Sequence, residues 1–134
     1  METHQDTPHP EGTSRAPDAD IEFFFDPVCP FCWVTSRWVR QVQRLTSLTV
    51  DWRFISLAVL NDRPHAYDDK PDLYPVVHDL GRQLLRVAAA ARDAHGPAAV
   101  GRLYQAMGEA LWERPDDGIE DFDDVLRTQA RGID

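Results

Sequence analysis

The chain has 134 residues, is 43% hydrophobic and carries a formal net charge of −9. That length supports one domain with a modest core. The acidic balance, with no long Lys/Arg cluster, argues against nucleic acid or an anionic membrane surface as a partner. The 10 prolines and 7 glycines are too few to indicate low complexity, and no internal repeat is evident.

Residues 1–20 are polar, contain prolines and lack an apolar run, so they are expected to form a disordered tail with no secretory signal or membrane span. Residues 21–25, Ile-Glu-Phe-Phe-Phe, read as a strand buried on both faces. After the loop Asp26-Pro27-Val28 comes a helix in which Val34, Trp38, Val42 and Leu45 recur at helical spacing. Residues 48–55 alternate well enough for a second strand, parallel to the first through a right-handed crossover. Residues 21–60, with Cys29 and Cys32 in a Cys-x-x-Cys between the first strand and the helix, therefore read as a thioredoxin-like βαβ unit.

Residues 61–71 are polar and proline-rich and read as a connecting loop. Residues 61–134 as a whole read as a helical insert. Val77, Leu80, Leu84, Val87 and Ala91 mark one face of a helix ending near His95-Gly96-Pro97, and Val100, Leu103, Tyr104, Met107 and Leu111 mark the next. A short third helix is expected on Phe122, Val125 and Leu126. Its first turn is acidic, with Glu120, Asp121, Asp123 and Asp124, and Arg127, Arg131 and Gly132 close it.

The only two cysteines, Cys29 and Cys32, stand in the run Cys-Pro-Phe-Cys where the first strand gives way to the first helix. A helix N-terminus favours a thiolate, which makes Cys29 the expected nucleophile and Cys32, one turn on, the resolving thiol. Pro30 removes a backbone N–H between them, and Phe31 is expected to put a ring at the surface. A zinc site wants four ligands, and His65, His78 and His95 are too scattered to complete one, so no metal is expected. A structural disulfide is disfavoured because the loop it closes is short and a reducing cytosol keeps such pairs open. The three histidines read as surface or loop residues, and Tyr67 and Tyr74 as ordinary packing at a loop edge. Arg37, Arg82 and Arg86 have the donors to bind a thiol cofactor, but the spacing of Arg82 and Arg86 favours a solvated helix face.

The stretch Phe25-Asp26-Pro27-Val28-Cys29-Pro30-Phe31-Cys32-Trp33-Val34-Thr35-Ser36-Arg37-Trp38, with Ser56-Leu57-Ala58-Val59-Leu60-Asn61, closely resembles the actinobacterial mycothiol-dependent nitroreductases, a DsbA-like family. The resemblance continues more loosely through Ala94-His95-Gly96 and residues 103–108. It implies a cytoplasmic thiol-disulfide oxidoreductase that takes electrons from mycothiol, itself recycled at the expense of NADPH, and passes them to disulfides or to electrophilic and nitro compounds. Cys29 and Cys32 match the family's redox pair, Trp33 follows the pair as it does there, and Asn61 matches a position near the active site. Phe31 replaces the usual tryptophan.

The resemblance also implies a DsbA-type α-helical insert followed by a ββα half with a cis-proline facing the cysteines, and nothing after residue 119 reads as those strands. The alternative reading is therefore a truncated, catalytically impaired fragment that self-associates or needs a complementing chain, with Phe23, Phe24 and Phe25 left on an unpaired edge and a homodimer as one outcome.

Overall fold

The computed structural model describes residues 18–113. The expected third helix on Phe122, Val125 and Leu126 and most of the expected tail lie outside the described residues. The elements are β1 (Ile21–Phe25), α1 (Pro30–Leu45), β2 (Val50–Phe54), α2 (Leu57–Leu60), α3 (Leu73–His95), α4 (Pro97–Gly108) and a π-helical turn over Glu109–Glu113. The fold is mixed α/β and mostly helical. β1 and β2 pair in parallel, in the register Ile21 to Val50 through Phe25 to Phe54, as the two apolar runs predict.

The predicted tail ends too late. Thr49 Oγ1 donates to Asp18 O (2.9 Å), and Thr49 N–H donates to Asp20 Oδ2 (2.8 Å). These bonds fasten residues 18–20 beside the start of β2. Burial of β1 on both faces is also not observed: Ile21, Phe23 and Phe25 turn inward, while Glu22 and Phe24 are exposed. Phe25 is wholly buried and Phe23 partly so. Only Phe24 of the three phenylalanines thus stands open.

Aromatic packing holds the centre. The Phe25 ring stacks on Tyr104 at 3.9 Å, and Trp33 meets the same tyrosine edge-on at 5.8 Å. Trp52 lies on its third side, also at 5.8 Å. With Val39, Leu85 and Val100 these rings form one core shared by the strands and helices α1, α3 and α4. Each such side chain contributes about 1.5–3 kcal/mol through burial, and offset or edge-on ring pairs add about 0.5–1.5 kcal/mol. The helix hairpin turns at Gly96, whose φ of 85° suits glycine, with Pro97 opening α4.

Two helix faces differ from their predicted stripes. On α1 the inward residues are Trp33, Ser36 and Val39, whereas Val34, Trp38 and Leu45 are 67–75% exposed. The apolar spacing of 34, 38 and 45 is real, but Trp33 orients the helix by inserting its indole beneath Gly108, where a Cβ would lie 2.1 Å from the ring. On α3 the buried residues are Tyr74, Val77, His78, Gly81, Leu85 and Ala88, and Val87 is exposed. Gly81 on that buried face has no room for a side chain, since a Cβ would lie 2.4 Å from Asp26 Oδ1 in the β1–α1 loop.

Candidate active site

The loop between β1 and α1 is built around a carboxylate. Asp26 is wholly buried, its Oδ1 accepts from Val28 N–H (3.1 Å) and its Oδ2 accepts from Leu57 N–H (2.9 Å). One side chain thus ties this loop to the first turn of α2. Gly81 of α3 closes over it: a Cβ there would lie 2.4 Å from Asp26 Oδ1 and 2.7 Å from Val28 Cγ2. From the other end of the helical region, the Trp112 indole N–H donates to Pro27 O (3.3 Å). Three elements, α2, α3 and the π-helical turn, therefore fix three loop residues immediately before the cysteines.

Cys29 follows as the N-cap of α1, with extended φ and ψ of −88° and 113°, and its Sγ accepts from Cys32 N–H at 3.4 Å. Pro30 occupies the first helical turn, where its missing N–H costs nothing. Both cysteines are free thiols and both are partly buried. A hydrogen bond from the Cys32 thiol is the main cause that pushes the Cys29 thiol down from 9.0 to about 6; burial opposes it, and the N–H groups of Cys32 and Phe31 reinforce it. The same bond pushes the Cys32 thiol up, and burial adds to that. Near neutral pH the pair is one thiolate and one thiol, the division of roles that a nucleophile and a resolving group require.

Burial pushes the Asp26 carboxyl up, against the two N–H groups that it accepts. Its negative charge in turn raises both thiols. Asp26→Asn retains one acceptor oxygen and removes that charge, so the midpoint of Cys29 alkylation with iodoacetamide should fall below about 6. A midpoint that rises would mean that the carboxylate acts by positioning the loop and not by its charge.

The other sequence-predicted residues are spread over three environments. Phe31 is 62% exposed beside the thiols, as expected. Trp33 is buried in the core and lies under the helix rather than at its surface. Asn61 is partly buried and its Nδ2 donates to Leu57 O (2.8 Å), closing the one-turn helix whose first N–H Asp26 accepts. His78 is buried, contrary to the surface reading: Tyr67 and Tyr74 flank its ring at 5.5 and 5.7 Å, and Nδ1 lies 2.8 Å from the Tyr67 hydroxyl. Burial pushes its imidazole pKa down. His65 is exposed and lies 2.6 Å from Asp68, and His95 is exposed in the last turn of α3. Arg82 pairs with Asp79 (3.1 Å) and Arg37 with Glu113. Among the described residues, no three His, Cys, Asp or Glu side chains gather to hold a metal ion, and no helix is long and apolar enough to cross a membrane.

Asp26, Gly81 and Trp112 were not among the residues picked out by sequence. The one available signal was Asp26 itself, an acidic residue set between a buried apolar run and the Cys-Pro-Phe-Cys motif.

The protein Rv2286c of Mycobacterium tuberculosis (strain ATCC 25618 / H37Rv), described as uncharacterized, is 32% identical to this chain over 94 residues. That alignment takes in 68% of this chain but only 37% of the relative, so the chain spans well under half the length of the protein it matches. A family model described as Rv2466c-like, mycothiol-dependent nitroreductase Rv2466c, matches residues 28–133, from the loop before Cys29 through nearly all that follows. With the greater part of its length inside that match, the chain belongs to the Rv2466c-like family of mycothiol-dependent nitroreductases.

Proposed function

We propose that the chain is a thiol-disulfide oxidoreductase of the cytosol that uses Cys29 and Cys32, carried on a thioredoxin-like βαβ unit with a DsbA-type helical insert, and is reduced by mycothiol. The observation that carries this reading is the asymmetry of the pair: Cys29 caps α1 with its thiol lowered to about 6, while Cys32 behind it is raised. Its substrates are disulfides or electrophilic compounds, among them the nitro compounds that the family description suggests.

Cys29 thiolate attacks one sulfur of a substrate disulfide, forming a mixed disulfide and releasing the other half as a thiolate. Cys32 gives up its proton and attacks Cys29 Sγ, which expels the second substrate thiolate and closes the Cys29–Cys32 disulfide. Two equivalents of mycothiol thiol then return the pair to two thiols and leave as mycothiol disulfide. The partly exposed Cys29 and the open Phe31 ring give a small thiol access to the attacked sulfur. Pro30 and Phe31 set the span of the motif, Trp33 anchors the helix below it, and Asn61 braces the α2 turn that holds Asp26.

The test is stoichiometric reduction of the oxidised protein by mycothiol, followed by mass and free-thiol count. The wild type should regain two thiols; reduced Cys32→Ser, mixed instead with mycothiol disulfide, should keep one mycothiol on Cys29 and release the other as free thiol, and Cys29→Ser treated alike should keep none. A Cys32→Ser protein that stays unmodified would refute the reading.

A second reading is an incomplete fold that is catalytically impaired until a complementing chain joins it, favoured by the 37% coverage of the relative. It requires a dimer or larger assembly, together with failure of the mycothiol reaction.

A further inference from the structure

Cys32, Ser36 and Arg40 stand at i, i+4 and i+8 on α1 and line one side of the helix. Ser36 is wholly buried, and Cys32 and Arg40 are partly so. From α4, Tyr104 enters the same region, its ring stacked on Phe25 at 3.9 Å and met edge-on by Trp33 at 5.8 Å. Cys32 packs against that aromatic cluster.

The hydroxyl of Tyr104 is wholly buried and has no hydrogen-bond partner, and Arg40 Nε is buried and unpartnered as well. An orphaned buried hydroxyl destabilises a fold, and phenylalanine would fill the same space without that cost. The neighbouring polar groups are engaged elsewhere. Ser36 Oγ donates to Trp33 O (2.7 Å), and Arg40 Nη2 donates to Gly101 O (2.7 Å), one turn before Tyr104 on α4. The phenol therefore has an O–H to give and, in the reduced protein, no group that takes it.

Electrostatics points to the group it serves. Burial pushes the phenol up most, and the charge of Cys32 comes next, ahead of that of Cys29; Ser36 and the cation of Arg40 push it down. Tyr104 is thus within reach of both the resolving thiol and a guanidinium, which in turn feels Glu109 and Arg44. Cys32 itself is poorly provided for as an anion. Its Sγ lies 4.0 Å from Phe24 O, and burial and the charges of Cys29 and Asp26 oppose its ionisation, with the Asp26 N–H in its favour. Once Cys29 is tied up in a mixed disulfide, Cys32 must nevertheless become a thiolate in this place.

We infer that the Tyr104 hydroxyl is the donor held for the Cys32 thiolate, turning its O–H to Cys32 Sγ as that thiol ionises, with Arg40 supporting the phenol oxygen. The inference rests on the redox reading of Cys29 and Cys32 and assigns Tyr104 to its second step. Only the hydroxyl has to rotate. In that step the Cys32 proton passes to solvent, the Cys32–Cys29 bond forms, and the bond from Cys29 to the substrate sulfur breaks, its electron pair leaving with the substrate thiolate. When a thiol reopens the disulfide at Cys29, Cys32 departs as a thiolate and meets the same donor.

The test is rapid mixing of the reduced full chain with one equivalent of dithiobis-nitrobenzoate, whose thiolate is coloured: the first is released by Cys29 attack and the second by closure of the pair. Tyr104→Phe keeps the ring and removes only the O–H. Loss of a hydrogen bond to a charged group should raise the Cys32 midpoint by at least about one pH unit. A smaller thiolate fraction is partly offset by greater nucleophilicity, so the second release should slow about three- to tenfold at neutral pH while the first stays within about twofold. The deficit should shrink as pH rises.

Unchanged release in both phases, with a variant more stable to heat, would make the hydroxyl a mere orphan of the core and overturn the inference, as would equal slowing of both phases. A wild type with no second release would instead refute the redox reading, and the inference with it. As an independent measurement, Cys32 is the sole thiol of Cys29→Ser, and adding Tyr104→Phe there should move its alkylation midpoint to higher pH. A midpoint that does not move would also overturn it.

Discussion

Cys29→Ser is expected to abolish turnover with disulfide substrates, lowering kcat by on the order of a thousandfold or more, the scale of loss when a covalent nucleophile is removed. The loss should appear in kcat and in kcat/KM together, because serine fills the same N-cap site but supplies no anion at neutral pH. Alkylation of the reduced wild type should titrate with a midpoint at about 6, and Cys32 should stay unreacted across that range. A Cys29→Ser enzyme that keeps more than about a tenth of its activity would show that another group does the chemistry.

The same shift governs stability of the reduced protein. A thiol lowered from 9.0 to about 6 in the folded state stabilises that state once the unfolded thiol is also ionised, and the contribution is lost as pH falls through the folded value. Between pH 9 and pH 6 the reduced wild type should therefore lose stability relative to Cys29→Ser, as read by urea unfolding at several pH values. Because the favoured thiolate exists only in the reduced form, it also makes the disulfide more readily reduced.

What the sequence revealed, and what it concealed, follows from the range of the interactions. The strand pairing and the helix hairpin were legible because Ile21–Phe25, Val50–Phe54 and the Gly96-Pro97 break are local signals. Cys29 and Cys32 were legible as a pair because both their spacing and their place before a helix are local too. The inward face of α1 was not legible: periodicity finds the apolar stripe of Val34, Trp38 and Leu45, but it is Trp33 that is buried, against Gly108 far away in the chain. The burial of His78 was hidden for the same reason, since it depends on where Tyr67 folds back. Asp26 was seen only as a loop residue because its partners, Leu57 N–H and the bare face of Gly81, belong to elements that approach it only in the folded chain.

Gly108→Ala should be among the most damaging single-methyl changes in the protein. The added Cβ would lie 2.1 Å from Trp33 Cζ3 and 2.2 Å from Cε3, and Trp33 cannot withdraw because its indole abuts Tyr104, which Phe25 and Trp52 enclose. Overpacking of this kind costs about 1–3 kcal/mol and sometimes more, while the better helix propensity of alanine returns about 0.5–1 kcal/mol. With contacts this short the cost lies at the upper end, and a net loss of about 2 kcal/mol corresponds to a fall in Tm of roughly 6–10 °C for a domain of this size. Gly96→Ala provides the contrast, since no atom lies within 4 Å and the cost comes only from φ of +85°, about 1–2 kcal/mol. Thermal unfolding by circular dichroism should order the variants wild type, Gly96→Ala, Gly108→Ala. Trp33→Leu, which shortens the ring that the methyl meets, should give a favourable coupling of more than about 0.5 kcal/mol with Gly108→Ala in a double-mutant cycle. Strict additivity of the two changes would mean that the tryptophan does not fill the space beside Gly108.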